Sequence, residues 1–250
     1  TDFIRFAASD GVARLTFDNP RRLNAINAEM WQALPALLTR VEEDPAIRVL
    51  VLAGTGDRAF CTGNDISEFG SIRADPIAAE RYNEGQRAVA RLLQGMTRPV
   101  IAAVHGYCLG AGFEFALMSD FRLCAADARM GVPAVKLGLP YRLEDIVKVA
   151  DVVGLARARE MVLLGRQYAG EELLALGIAN QVLPDHGALA VAVDALAMEL
   201  AANAPLSLSA AKVAFADWPG GWADRCYASE DYAEGRTAKR EKRKPVFAGR

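Results

Sequence analysis

Residues Ala103–Asp120 read AVHGYCLGAGFEFALMSD. An apolar run ends in three glycines, Gly106, Gly110 and Gly112, and one carboxylate, Glu114, then stands among Phe113, Phe115, Ala116, Leu117 and Met118. The preceding PVIAAVHG is continuously apolar rather than alternating, which predicts a strand covered on both faces. The glycines predict a tight turn with close backbone approach. A helix beginning near Ala111 would aim its free N–H groups and positive dipole end at a ligand there. On that helix Glu114 falls in the first turn, where the dipole alone favours a carboxylate by up to ~1 kcal/mol. Its apolar neighbours argue for more. Burying an acid is costly without a role or a partner, and burial raises its pKa towards the range that suits proton transfer near neutrality. Glu114 is read as a catalytic group.

The rest of the chain alternates strands and helices. FIRFAA and VARLTFD flank the turn signal SDG (Ser9–Gly11) and predict a hairpin. Helical spacing of Met30, Leu34, Leu37, Leu38 and Val41 predicts a helix over Ala28–Glu43, stopped by Asp44-Pro45. IRVLVLAG (Ile47–Gly54) is a second buried strand, followed by a polar loop, TGDRAFCTGNDISEFG, and a helix around Ala78–Met96. FRLCAAD and ARMGVPAVKLG read as short strands, Asp145–Leu164 as helix, and GEELLALGIANQVLP as a short helix, a stop at Gly177 and a strand. From about His186 the chain turns to Ala- and Leu-rich helices, with Trp218 and Trp222 beyond them, and closes on a basic tail, AEGRTAKREKRKPVFAGR. This order predicts an α/β core with crossover connections and a helical C-terminal part.

Composition bounds the function. A chain of 250 residues can bury a substantial core, and its Ala- and Leu-rich apolar tilt suggests surface buried between subunits. A formal net charge of −2 gives no electrostatic case for nucleic acid or an anionic membrane. Cys61, Cys108, Cys124 and Cys226 are scattered, with no CxxC pair. With only His105 and His186 beside them, they argue against a zinc site and fit a reducing compartment. The first residues lack a signal-peptide layout and no apolar run reaches ~20 residues, so a cytoplasmic protein is expected.

Three loops can carry chemistry: AFCTGNDI (Ala59–Ile66), GYCLGAGFE (Gly106–Glu114) and GVPAVKLGLPYRLED (Gly131–Asp145). The first two each follow a buried strand, so both can lie at one edge of a parallel sheet, where α/β folds bind ligands. Two N–H groups converging from separate loops make an oxyanion hole, though ordinary strand-to-helix turns would carry the same glycines. The glycine spacing is not the GxGxxG of a dinucleotide fold.

Together NPRRLNAIN, VLAGTGDRAFCTGNDISEF, RPVIAAVHGYCLGAGFEFALMSDFRLCAADARMGVPAVKLGL and EKRKPVFAG resemble the crotonase (enoyl-CoA hydratase/isomerase) superfamily over nearly the whole chain. The resemblance implies an α/β fold, a spiral of ββα units over residues 1–190, with a helical trimerisation region over 191–250. It implies acyl-CoA thioesters as substrates, with coenzyme A part of the substrate, no separate cofactor or metal, and assembly into a homotrimer or homohexamer. It also implies an oxyanion hole on the backbone N–H groups of Asn64 and Ala111, with Glu114 as an acid–base group. Arg21, Leu23, Ala25, Thr62, Asp65 and Ile66 would line the adenosine and pantetheine arm. Lys242 would approach the CoA phosphates and Phe247 cover the adenine.

The chain departs from the family pattern in the third loop. Typical hydratases carry a second glutamate after a proline there, and the corresponding step here is Pro133-Ala134. Syn addition of water needs one group for the water and one for the α-carbon, so a replacement is sought. Glu144 and Asp145 are the acids at hand and Glu144 is kept as the candidate, although the LED step reads more readily as a charge cluster at a helix start. Tyr141 can hydrogen-bond a substrate carboxylate or a water, and Arg142 can pair with an anionic acyl tail; a plain loop with a solvated arginine reads equally well. LGxPY with a lone upstream glutamate also resembles the methylmalonyl-CoA decarboxylase branch. A non-catalytic acyl-CoA-binding protein is the remaining alternative. His105 reads as a satisfied structural histidine and His186 as an exposed turn residue.

Overall fold

The computed structural model describes residues 1–72, 75–215 and 222–250; Trp218 lies outside them. The predicted hairpin is present as β1 (Ile4–Ser9) and β2 (Val12–Phe17), paired antiparallel. Helix α1 (Ala28–Glu43) has the predicted bounds: the Asn27 side chain caps its start by accepting from Met30 N, and Asp44 ends it.

From β3 (Val49–Gly54) onwards a simple rule builds the core. Each long apolar strand enters a large sheet, and the short strand after it enters a small one. Thus β3 is followed by β4 (Ala59–Cys61), the helices α2 (Phe69–Ile72) and α3 (Pro76–Gln94) come next, and β5 (Val100–Val104) is followed by β6 (Tyr107–Leu109) and α4 (Ala111–Leu117). Strands β7 (Phe121–Ala125) and β8 (Arg129–Gly131) repeat the step before α5 (Leu143–Leu164); β9 (Gln167–Ala169), α6 (Glu171–Ala175) and β10 (Gln181–Leu183) close the spiral. The large sheet has the order β1-β2-β3-β5-β7-β10, parallel from β2 onwards; the small one has the order β4-β6-β8-β9. This is the α/β spiral that the resemblance implies.

Three of the short strands lie in stretches read as loops or left unassigned: β4, β6 and β9. Each has only three residues, too few for an alternating pattern to register. The turn from β5 into β6 depends on Gly106, which sits at φ +53 where a Cβ would lie 2.1 Å from the Arg58 carbonyl oxygen.

The large sheet is buried on both faces. On one side Leu15, Leu50 and Leu52 pack against α1 residues such as Leu34 and Leu38. On the other, Val49, Val51, Ile101 and Leu123 meet Leu189, Val193, Ala197 and Leu200 of α7 (His186–Ala202). The expected boundary at residue 190 therefore falls inside a helix that belongs to the core by its contacts. Beyond it lie α8 (Pro205–Phe215), α9 (Trp222–Tyr227) and α10 (Glu230–Glu241). The basic end is not a free tail: α10 runs through it to Glu241, and the segment beyond is tied back. Arg48 Nη2 donates to Phe247 O (2.8 Å), and the Asp231 carboxylate accepts from Ala248 N and Gly249 N. Among the described residues no single helix is long and apolar enough to cross a membrane.

Candidate active site

The parallel pairing of β4 with β6 brings the loops after them side by side. Gly63, at φ +95, approaches the second loop so closely that a Cβ would lie 3.1 Å from Ala111 N and 3.1 Å from Leu109 O. Gly110, at φ 52, occupies the N-cap of α4. Gly112 fits as tightly as Gly106: a Cβ there would sit 2.1 Å from the carbonyl oxygen of Cys61 in β4. Because that neighbour is backbone and cannot swing aside, Gly112→Ala is expected to cost about 2–3 kcal/mol, the upper part of the range for over-packing. A urea titration measures it.

The first loop is held by backbone pairing with the segment before α1: Ile26 N donates to Gly63 O (2.7 Å) and Asp65 N donates to Ile26 O (2.9 Å). Between these bonds the Asn64 N–H has no protein acceptor among the described residues, and neither has the Ala111 N–H at the first position of α4. Both residues line one cleft of ≈ 930 Å³ of empty space, its open mouth included. Thr62, Ile66, Glu114, Ala134, Tyr141, Arg142 and Asp145 line the same cleft.

Glu114 lies in the first turn of α4, held there by its own N–H donating to Gly110 O (3.0 Å). Its side chain is only 14% exposed. Burial first, and the Asp145 carboxylate second, push its pKa up to about 7, against the opposing pull of Arg142 and Lys148. A carboxyl group with that pKa can take up and release a proton near neutrality. It also makes stability fall with rising pH. Between the usual 4.5 and about 7 the folded chain holds a proton that the unfolded chain has released. The loss should total about 3 kcal/mol across that window and be absent in Glu114→Gln. Chemical denaturation at pH 5 and pH 8 measures it.

The third loop supplies the opposite wall. Ala134 begins a 3-10 turn (Ala134–Leu137) and offers the cleft a methyl group. Arg142 Nε donates to Asp145 Oδ2 (2.8 Å), Lys148 Nζ lies 3.1 Å from Asp145 Oδ1, and Arg142 Nη2 stands 4.0 Å from Glu114 Oε2. The Tyr141 hydroxyl and Arg142 Nη1 are buried without a hydrogen-bond partner. Tyr141 and Glu114 are close enough to influence one another's titration without forming a bond of good geometry. Burial and the two carboxylates keep the Tyr141 phenol well above its usual pKa.

The second carboxylate that lines the cleft beside Glu114 is Asp145, not Glu144. Glu144 is 54% exposed and, among the described residues, lies outside the cleft lining. It is a first-turn charge of α5, whereas Asp145, one position on, faces inward. Arg142 is correspondingly no solvated loop arginine. The sequence reading also missed Asn83 and Gln86, polar residues one turn apart on α3 that line the cleft; nothing in their spacing distinguishes them from an exposed helix face.

Of the residues expected along the CoA arm, Thr62 and Ile66 line the cleft. Thr62 Oγ1 is tied to Leu23 O (3.2 Å). The Asp65 carboxylate is occupied by Ser67, accepting from its N–H and hydroxyl. Arg21 is exposed and Ala25 buried, and with Leu23 they stand outside the lining. Lys242 and Phe247 are not brought to the cleft. Lys242 ends α10, and Phe247 lines a separate hollow with Tyr227, Tyr232 and Arg236. His105 is not fully satisfied: its Nε2 has no partner, and burial beside His186 lowers its pKa. His186 is only partly exposed and its Nε2 lies 2.9 Å from Asp127 Oδ2.

A spiral of paired strands split between two sheets, with a cleft across the loops after β4 and β6, defines a crotonase-superfamily protein. The chain belongs to the enoyl-CoA hydratase/isomerase family, whose model matches residues 7–218. It is 36% identical over 214 residues to a mevalonyl-coenzyme A hydratase of Beauveria bassiana, covering 83% of this chain and 75% of that enzyme. It is 32% identical over 261 residues to an (E)-benzylidenesuccinyl-CoA hydratase of Thauera aromatica, covering 98% and 99%. Among solved structures, an enoyl-CoA hydratase/carnithine racemase of Magnetospirillum magneticum superposes with a TM-score of 0.93 at 35% identity, covering 100% of this chain and 97% of that one.

Proposed function

We propose that this acyl-CoA enzyme of the hydratase/isomerase type works through an enolate of the thioester. The Asn64 and Ala111 N–H groups hold the thioester oxygen as it gains charge, and Glu114 moves the proton. The observation that carries the reading is the pair of unpaired N–H groups in the same cleft as a buried carboxyl group with a pKa of about 7. Two donors aimed at a developing oxyanion are worth roughly 3 kcal/mol each. Family membership supports the thioester as the group they receive.

With Ala134 where hydratases of the family place a second glutamate, one group must serve at two atoms. As a carboxylate, Glu114 removes a proton from a carbon next to the conjugated system, or from a water adding to the β-carbon. As the acid so formed, it returns the proton to the α-carbon as the enolate collapses. Asp145 is engaged by Arg142 and Lys148 and serves as a charge beside Glu114 rather than as a free base. The names of the relatives support hydration as the first reaction to assay; they favour neither decarboxylation nor a non-catalytic binding role.

The CoA arm is placed along Thr62 and Ile66 towards Arg21, Leu23, Ala25 and Asp65. Because Lys242 and Phe247 stand away from the cleft of their own chain, their contact with CoA requires a second copy, consistent with a homotrimer or homohexamer. The test is a panel of enoyl-, dienoyl- and malonyl-type CoA thioesters with products identified by mass spectrometry. Hydrated or isomerised product is expected; no conversion of any member, or carbon dioxide release alone, contradicts the reading.

A further inference from the structure

The side chain of Asn64 has a task that the chemistry above does not use. Its Oδ1 accepts from Trp31 Nε1 at 3.0 Å and from Gln86 Nε2 at 3.2 Å. One amide oxygen thus ties the loop after β4 to both α1 and α3. An indole N–H can only donate, so the amide cannot be flipped: Oδ1 must face Trp31. Trp31 is itself fixed, 6% exposed, with its ring stacked on Phe115 of α4 at 5.8 Å. Its Nε1 also lies 3.1 Å from the Tyr82 hydroxyl.

The peptide that carries the Asn64 N–H is consequently held at both ends. Ile26 N secures its carbonyl, Gly63 O, at 2.7 Å, and the side-chain clamp secures the Asn64 Cα. We infer that Trp31 and Gln86 are positioning residues, which hold the Asn64 amide so that its peptide N–H is aimed before substrate arrives. The inference rests on the oxyanion-hole reading above. Donors of this kind act because they need no reorganisation as charge develops, and a displacement of about 1 Å can cost ~10²-fold in rate.

Steady-state kinetics on Trp31→Phe, Gln86→Leu, Asn64→Ala and their double variants test this, using a thioester that the wild-type chain converts, with thermal melts alongside. Asn64→Ala keeps the peptide N–H but removes the clamp. Each single variant is expected to lower kcat by about 10-fold, part of the loss that misplacement can cause, with KM within about 3-fold. In the Asn64→Ala background, Trp31→Phe should change kcat no further, since both act through the same side chain. Trp31→Phe is the cleaner arm, because Gln86 lines the cleft and, among the described residues, Trp31 does not; should it fail to fold, Gln86→Leu in the two backgrounds gives the same comparison. Wild-type kcat in the single variants, losses that multiply in full in the doubles, or losses confined to KM overturn the clamp while leaving the enzyme reading intact. A wild-type chain that converts no thioester overturns the enzyme reading itself.

Discussion

Glu114→Gln is expected to lower turnover of every thioester the protein converts by ~10²–10⁴-fold, the usual contribution of a positioned acid–base group. Glutamine has nearly the same shape, so the cleft, the packing of α4 and the two N–H donors are retained. What is lost is the ability to take up a proton and return it. KM should move little, because binding through the thioester oxygen and the CoA arm does not depend on this proton. The variant should also be more stable than the wild type above pH 7, since it no longer buries a carboxylate whose pKa has been driven up to about 7. Lost turnover with raised stability at high pH would separate a catalytic group from a misplaced structural charge. Unchanged turnover would remove Glu114 from the mechanism.

Asp145→Ala is expected to destabilise the fold by about 3 kcal/mol, the lower end of the cost of breaking a buried ion pair. Asp145 is 2% exposed and balances Arg142 and Lys148 at 2.8 and 3.1 Å. Without it, two cations that are 28% and 13% exposed lose their nearest acceptor, and Arg142 keeps Glu114 at 4.0 Å as a neighbour inside the cleft. The partial exposure of Arg142 is what places the cost at the low end. A lower urea midpoint with an unchanged slope measures it. Because Asp145 raises the Glu114 pKa while Arg142 and Lys148 lower it, the substitution should also shift the Glu114-dependent limb of the pH–rate profile to lower pH. A loss under 1 kcal/mol with an unmoved profile would mean that Asp145 is a surface charge in effect.

The long elements were legible because burial on both faces leaves an unmistakable mark. Val49–Leu52 and Val100–Val104 are apolar throughout, and α1 carries its periodicity between an Asn27 cap and an Asp44 stop. The short strands were not legible, since Ala59–Cys61 and Tyr107–Leu109 are set by the neighbours they pair with rather than by any internal pattern. The same division holds in the cleft. Glu114 stood out because a lone acid in an apolar run is locally odd, and glycines marked the two loops, but Asn64 and Ala111 were named in them through the resemblance. Asn83, Gln86 and Trp31 are ordinary helix residues, brought to the site by the packing of α1 against α3. Glu144 and Asp145 differ by one position, which on a helix start is enough to put one carboxylate in water and the other in the wall. Lys242 and Phe247 were carried by resemblance alone, and a single chain keeps them apart from the cleft.

The central claim is that this cleft stabilises a thioester enolate and that Glu114 moves its proton. Exchange of the α-hydrogens of butyryl-CoA in deuterated water tests both halves at once, because the saturated thioester can be enolised but neither hydrated nor isomerised. Mass spectrometry should show deuterium entering the acyl group with the wild-type chain and its entry largely abolished with Glu114→Gln. Exchange that continues undiminished in the variant, or none with the wild-type chain, would contradict the account.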